Sequence, residues 1–156
     1  SLVGSEMCKE TAVDDASDNV NFTRDPESAV YAITHWPGKI VFAGREIGHT
    51  IFVGDRLKDT PIDNPVRRAY QLHRERAKAE HWNHHTADPT AVLLAVRGIL
   101  NYWDLSECGY IDIKNNCSFV WQDHFEGNQR YIIQKVDRGR LGRILEDLMV
   151  IPPDKH

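Results

Sequence analysis

Thr86-Ala87-Asp88-Pro89-Thr90-Ala91-Val92-Leu93-Leu94-Ala95-Val96 decides the fold, because it sets a carboxylate at the mouth of a helix that has almost no polar face. Asp88 reads as an N-cap and Pro89 as the first helical residue, where the missing N–H costs nothing. The run behind them is apolar nearly all round and predicts a buried helix reaching to about Trp103. A carboxylate at the edge of a hydrophobic interior needs a partner, whether its own backbone amides, a base or a metal ion. Which of these it has decides what the protein does.

Working outward, the segments on either side alternate between helix and strand patterns. Asp25-Pro26-Glu27 repeats the cap-then-proline signature, and Ala29, Val30, Ile33 and Trp36 recur at helical spacing until Pro37-Gly38. Lys39-Ile40-Val41-Phe42-Ala43 then reads as a short buried strand. Asn64-Pro65 starts a third helix over 66–79, rich in arginine and therefore expected on the outside. His81 to Thr86 is a polar loop with three histidines, expected to be solvated. Tyr110 to Lys114 and Ser118 to Trp121 alternate around Asn115-Asn116 as a hairpin, and Tyr131 to Lys135 is a further strand. A last amphipathic helix over 138–149 turns Leu141, Ile144, Leu145 and Leu148 inward. Residues 1–18, short of apolar side chains, read as loop.

Composition narrows the class. The 156 residues, 41% hydrophobic and 27% charged, suit a single globular domain with a sizeable core. A formal charge of -4 argues against general binding to nucleic acid or anionic membrane. No apolar run approaches the roughly 20 residues that span a bilayer, and no leader pattern is visible, so a soluble, cytoplasmic protein is expected. Cys8, Cys108 and Cys117 form an odd set with no C-x-x-C spacing, which points to reduced structural thiols.

The ordered series Met7, Asn19-Val20-Asn21-Phe22, Asp25-Pro26-Glu27-Ser28-Ala29, His35-Trp36-Pro37-Gly38-Lys39-Ile40-Val41-Phe42, Glu46-Ile47-Gly48, Asn64-Pro65-Val66 and the run from Asp88 to Gly98 resembles the carboxyl-terminal half of the inosine/uridine-preferring nucleoside hydrolase family, in its divergent bacterial branch. The likeness extends from about Met7 to Pro153. It implies an α/β fold: a Rossmann-like open sheet with flanking helices, the later half of the nucleoside hydrolase architecture, with a small β elaboration near the end. It also implies hydrolysis of the N-glycosidic bond of a ribonucleoside, with calcium as cofactor.

Site residues follow from the same resemblance. Asp88 matches a calcium ligand, and a carboxylate is the hard oxygen donor that calcium takes; the residues alone leave an N-cap as the alternative. Asn19 and Asn21 match a Glu-x-Asn pair that binds ribose, with Asn19 replacing the carboxylate by an uncharged group that both donates and accepts. Met7 matches a methionine lining the sugar. Many members carry a histidine just before the calcium aspartate to protonate the leaving base, and here Ala87 stands in that place, unable to transfer a proton. Trp82, His84 and His85 lie upstream as candidate base contacts, with packing as the plainer role for Trp82.

The family's amino-terminal motif Asp-x-Asp-x-Gly-x-Asp-Asp, source of most calcium ligands, does not occur in these residues. A single carboxylate does not hold an ion that wants six to eight oxygens. Two classes are therefore expected: a nucleoside hydrolase, homo-oligomeric or with a missing amino-terminal half, or a non-catalytic truncated or degenerate relative that binds a partner or completes a pocket supplied by another polypeptide. A third reading is a sugar or nucleoside binder without turnover.

Overall fold

The structure, a computed structural model, describes residues 2–5 and 20–152. Its elements in chain order are β1 (Leu2–Ser5), α1 (Val20–Thr23), α2 (Pro26–His35), β2 (Ile40–Ala43), α3 (Arg45–Gly48), β3 (Phe52–Val53), a 3-10 turn (Asp55–Asp59), α4 (Pro65–Ala77), β4 (His84–His85), α5 (Ala87–Arg97), β5 (Trp103–Leu105), β6 (Gly109–Ile113), β7 (Phe119–Asp123), β8 (Gln129–Gln134) and α6 (Arg138–Val150). The class is α/β with an open mixed sheet and helices on both faces, in spatial order β1-β2-β8-β6-β7, and β5 pairs with β8 beside it. β1, β2 and β8 are mutually parallel, whereas β5, β6 and β7 run antiparallel to their neighbours.

β2 shows why the sheet is covered twice. Its successive side chains point to opposite faces, so Ile40 and Phe42 enter a cluster with Ile33 of α2 and Ile111, Ile113, Phe119 and Tyr131. Val41 and Ala43 face the other way, into a core with Leu93 and Leu94 of α5, Trp103, Ile132 and Leu141 and Leu145 of α6. A strand buried on both sides has no polar face, which is the pattern Ile40-Val41-Phe42-Ala43 carries.

Capping chemistry fixes two helix starts where the sequence puts them. Asp25 Oδ1 accepts from the Ser28 amide at 3.1 Å, and the Ser28 side chain first and its amide second hold the exposed Asp25 carboxyl below its ordinary pKa. Asn64 Oδ1 accepts from the amides of Val66 and Arg67 at 2.8 and 3.1 Å. Each is followed by proline at the first helical position.

The decisive helix departs from its sequence reading at both ends. α5 starts at Ala87 with Thr86 as the cap, which moves Asp88 and Pro89 inside the first turn. The reason is tertiary: the Thr86 amide donates to the Gly48 carbonyl at 2.9 Å, and Thr86 is wholly buried. Proline is tolerated in the third helical position because the first four amides have no intrahelical partner. At the other end Gly98 takes φ +73° and returns its amide to Leu94, so the helix stops six residues short of Trp103, which opens β5. The expected all-round burial also fails. Leu93 and Leu94 are buried, whereas Val92 and Val96 are 59% and 78% exposed.

Three further expectations change. The start of the chain, read as loop, contains β1, whose short apolar Leu2-Val3 is outweighed by polar neighbours. The histidine loop contains β4, which pairs antiparallel with β3 through Phe52–His85 and Val53–His84. The β elaboration is not peripheral, because β8 lies against β2 in the middle of the main sheet. In α6, Leu141 and Leu145 are buried as expected, and Leu148 is 40% exposed. Cys108 and Cys117 are free thiols, and burial raises the Cys117 pKa. Among the described residues no helix is long and apolar enough to cross a membrane.

Candidate functional site

α3, β4 and the start of α5 meet at the carboxyl end of β2, the side on which open α/β sheets bind ligands. The contact that sets this meeting is Gly48 against Ala87: a Cβ on Gly48 would stand 2.4 Å from the Ala87 Cα. Only glycine lets the end of α3 touch the first turn of α5. Asp88, next along, is thereby carried to the surface at the mouth of a cleft of about 310 Å³ lined also by Tyr70, His73, His84 and His85. That volume lies within the roughly 300–1,000 Å³ of ordinary small-molecule sites.

The cleft's imidazoles belong to a run of four. His73 of α4 lies against His84, His84 against His85, and His85 against His49 at the end of α3, with ring centroids 4.1, 4.1 and 4.2 Å apart. Burial is the first cause lowering the pKa of His49, His84 and His85, and the charges of neighbouring histidines, with Arg45 for His49 and His85, add to it. Asp88 acts against the shift at His85 without reversing it. These three rings are therefore neutral at physiological pH. Tyr70 is shifted the other way, first by burial and then by Glu146, so its phenol keeps its proton. The cleft thus offers one carboxylate acceptor, one phenolic donor and the neutral rings of His84 and His85, a set suited to hydroxyl groups and a flat heterocycle.

The lowered imidazole pKa values have a measurable consequence. Above the free-histidine value of 6.5 these rings are neutral in folded and unfolded chains alike, and their contribution to stability is complete. As pH falls below it, the unfolded chain takes up protons that the folded one resists, and stability declines until the depressed pKa values are passed. The urea midpoint should therefore fall between about pH 7.5 and 5, with a shallower fall in His49→Gln and His85→Gln. An unchanged slope in both variants would contradict the assignment.

Not every expected site residue reaches this cleft. Met7 and Asn19 lie outside the described residues. Asn21, in α1, is exposed and does not line the cleft; its neighbour Phe22 packs edge-on against Phe119 at 6.0 Å, in the cluster on the opposite face of the sheet from α5. The Cys117 thiol, in the β6–β7 turn, donates to the Phe22 carbonyl at 3.4 Å. Trp82 is half-buried under the Arg74 guanidinium, 5.8 Å from the ring centroid, and is not part of the cleft lining. Packing is its observed role.

A calcium site is not complete here. Among the described residues no group of three or more His, Cys, Asp or Glu is placed to hold a metal ion. The adjoining rings, tilted against one another, present nitrogen and not the hard oxygens that calcium takes. Sequence does not single out Tyr70, His73 and His49, since they come from α4 and from the end of α3, which only the fold brings to β4. Compared with protein-family models, with curated proteins and with solved structures, the chain gives no match.

Proposed function

We propose that this chain is the later half of a nucleoside hydrolase-like domain and forms one wall of a ribonucleoside site, the intact protein cleaving the N-glycosidic bond to base and ribose. The supporting observation is the exposed Asp88 carboxylate in a cleft beside a protonated phenol and neutral imidazoles, at the carboxyl end of β2. Asp88 accepts from sugar hydroxyls, Tyr70 donates to them, and His84 and His85 offer ring nitrogens to the base. Asn21, with Asn19 and Met7 by resemblance, belongs to the sugar side. The described residues do not make a calcium site by themselves, and the share of catalysis assigned to them is binding and orientation. A second reading, a binder without turnover, is favoured by Ala87 and by imidazoles that resist protonation.

Base release from inosine and uridine by the product of the whole reading frame tests the first reading. Asp88→Ala should lower kcat/KM by about 100-fold, in line with the loss of an anchor of a metal or substrate site. Thermal stabilisation by ribose or inosine with no base release would support the binder. Absence of both would end the nucleoside interpretation.

A further inference from the structure

We infer that the pocket at the amino end of β2 and β8, the far end from Asp88, binds a small organic anion: a carboxylate carried on a short apolar body. The pocket measures about 360 Å³, within the range of small-molecule sites. Among the described residues that line it, the charged ones are Lys39 and Arg130, while Ile40, Val41 and Leu105 give it apolar walls and Cys108 adds a half-buried thiol.

Strand register puts the guanidinium there. Arg130 stands beside Val41 in the parallel pairing of β2 with β8, so the two side chains share one face of the sheet. The Ser106 amide donates to the Tyr131 carbonyl at 2.9 Å, and the Tyr131 amide to Ser106 Oγ at 3.0 Å, which fixes the segment before β6 against β8. That segment brings two acceptors to the half-buried Arg130: Nη1 donates to the Ser106 carbonyl at 3.1 Å and Nη2 to Cys108 Sγ at 2.9 Å. Neither acceptor is a carboxylate. Among the described residues the ion pairs are Arg56–Asp147, Lys114–Asp112 and Lys135–Asp104, so Arg130 and Lys39 have no acidic partner. A charge drawn partly out of water ordinarily has a counter-charge, and here it has to come from a ligand. Lys39 is held in place between two anchored neighbours, since Asn128 Nδ2 donates to the Gly38 carbonyl at 2.8 Å and the Ile40 amide to the Asn128 carbonyl at 3.0 Å. The two cations select an anion, and the apolar walls favour one with carbon attached. A planar carboxylate fits the N–H groups that Arg130 has left.

Cys108 supplies the readout. Iodoacetate carries the carboxylate and iodoacetamide is its neutral counterpart; with either, Sγ bonds to the CH2 carbon, iodide leaves and the thiol proton passes to buffer. Peptide mapping of the full chain by mass spectrometry gives the rate at Cys108, with glutathione in the same solution as the free-thiol reference. The ratio of the iodoacetate rate to the iodoacetamide rate should be about tenfold higher at Cys108 than at glutathione. The iodoacetate rate should saturate at about 1–20 mM. Butyrate should slow it, and butyramide should not. Lys39→Gln, at an exposed position, should lower the ratio by about threefold, and Arg130→Gln should bring it down to that of glutathione, both with unaltered circular dichroism. A ratio equal to glutathione's in the parent, a rate that climbs without saturating, equal protection by butyramide, a ratio indifferent to Lys39→Gln, or a Cys108 that neither reagent reaches would overturn the proposal. The pocket and the Asp88 cleft lie at opposite ends of β2, so each of those results leaves the sugar-site reading standing.

Discussion

Gly48→Val should destabilise the protein by about 3 kcal/mol or more, at the upper end of what overpacking costs. The cause is steric. A Cβ at position 48 already meets the Ala87 Cα at 2.4 Å and its amide nitrogen at 2.9 Å, and these are backbone atoms that no rotamer change can move. Relief requires the first turn of α5 to lift from α3, which breaks the bond from the Thr86 amide to the Gly48 carbonyl and opens the cleft between them. At roughly 2–4 °C per kcal/mol for a chain of this size, the melting temperature should fall by roughly 6–12 °C. Ligand binding should weaken even below the new transition, because Asp88 moves with the turn. A Gly48→Val protein as stable as the parent would show that α3 and α5 do not touch as described.

Glu146→Ala should cost about 3 kcal/mol for a different reason. Glu146 sits on α6, 9% exposed, and its Oε1 accepts from the amides of Gly54 at 2.9 Å and Arg56 at 3.1 Å. These amides open the 3-10 turn, whose cap residue Gly54 has no side chain to satisfy them. Removing the acceptor leaves two donors stranded, each worth roughly 1–3 kcal/mol. Glu146→Gln keeps an oxygen in the same place and should cost only about 1 kcal/mol, the difference between a charged and a neutral acceptor. Equal losses in the two variants, measured by urea unfolding, would point to lost packing instead of lost hydrogen bonds. The neighbouring Arg56–Asp147 ion pair lies on the exposed side and contributes little.

Glu146 also shows where sequence reading stops. Its partners are 90 and 92 positions away, and no local pattern marks a helix carboxylate as the cap of a distant turn. The elements that were legible are those whose chemistry is local: Asp25 and Asn64 bond to amides two or three residues on, and the β6–β7 hairpin turns at Asn115-Asn116. The start of α5 was not legible, because Thr86 and Asp88 are both good caps and the choice is made by a bond from Thr86 to Gly48. The exposure of Val92 and Val96 was equally hidden, since an apolar sequence states what a face needs and not whether anything covers it. Of the site, Asp88, His84 and His85 were identified from sequence and share one cleft. The outer members of the histidine run, His73 and His49, required the pairing of β3 with β4 and the packing of α4 to come into view.

On the proposed function, a sugar-bearing ligand sits against Asp88 at the carboxyl end of β2. Titration of uniformly nitrogen-15-labelled protein with inosine, followed by amide and imidazole chemical shifts, tests it most directly. Saturable shifts are expected to concentrate at Ala87, Asp88, His84, His85 and Asn21, and to be lost in Asp88→Ala. Saturable shifts confined to any other part of the surface, or inosine binding undiminished in Asp88→Ala, would contradict it.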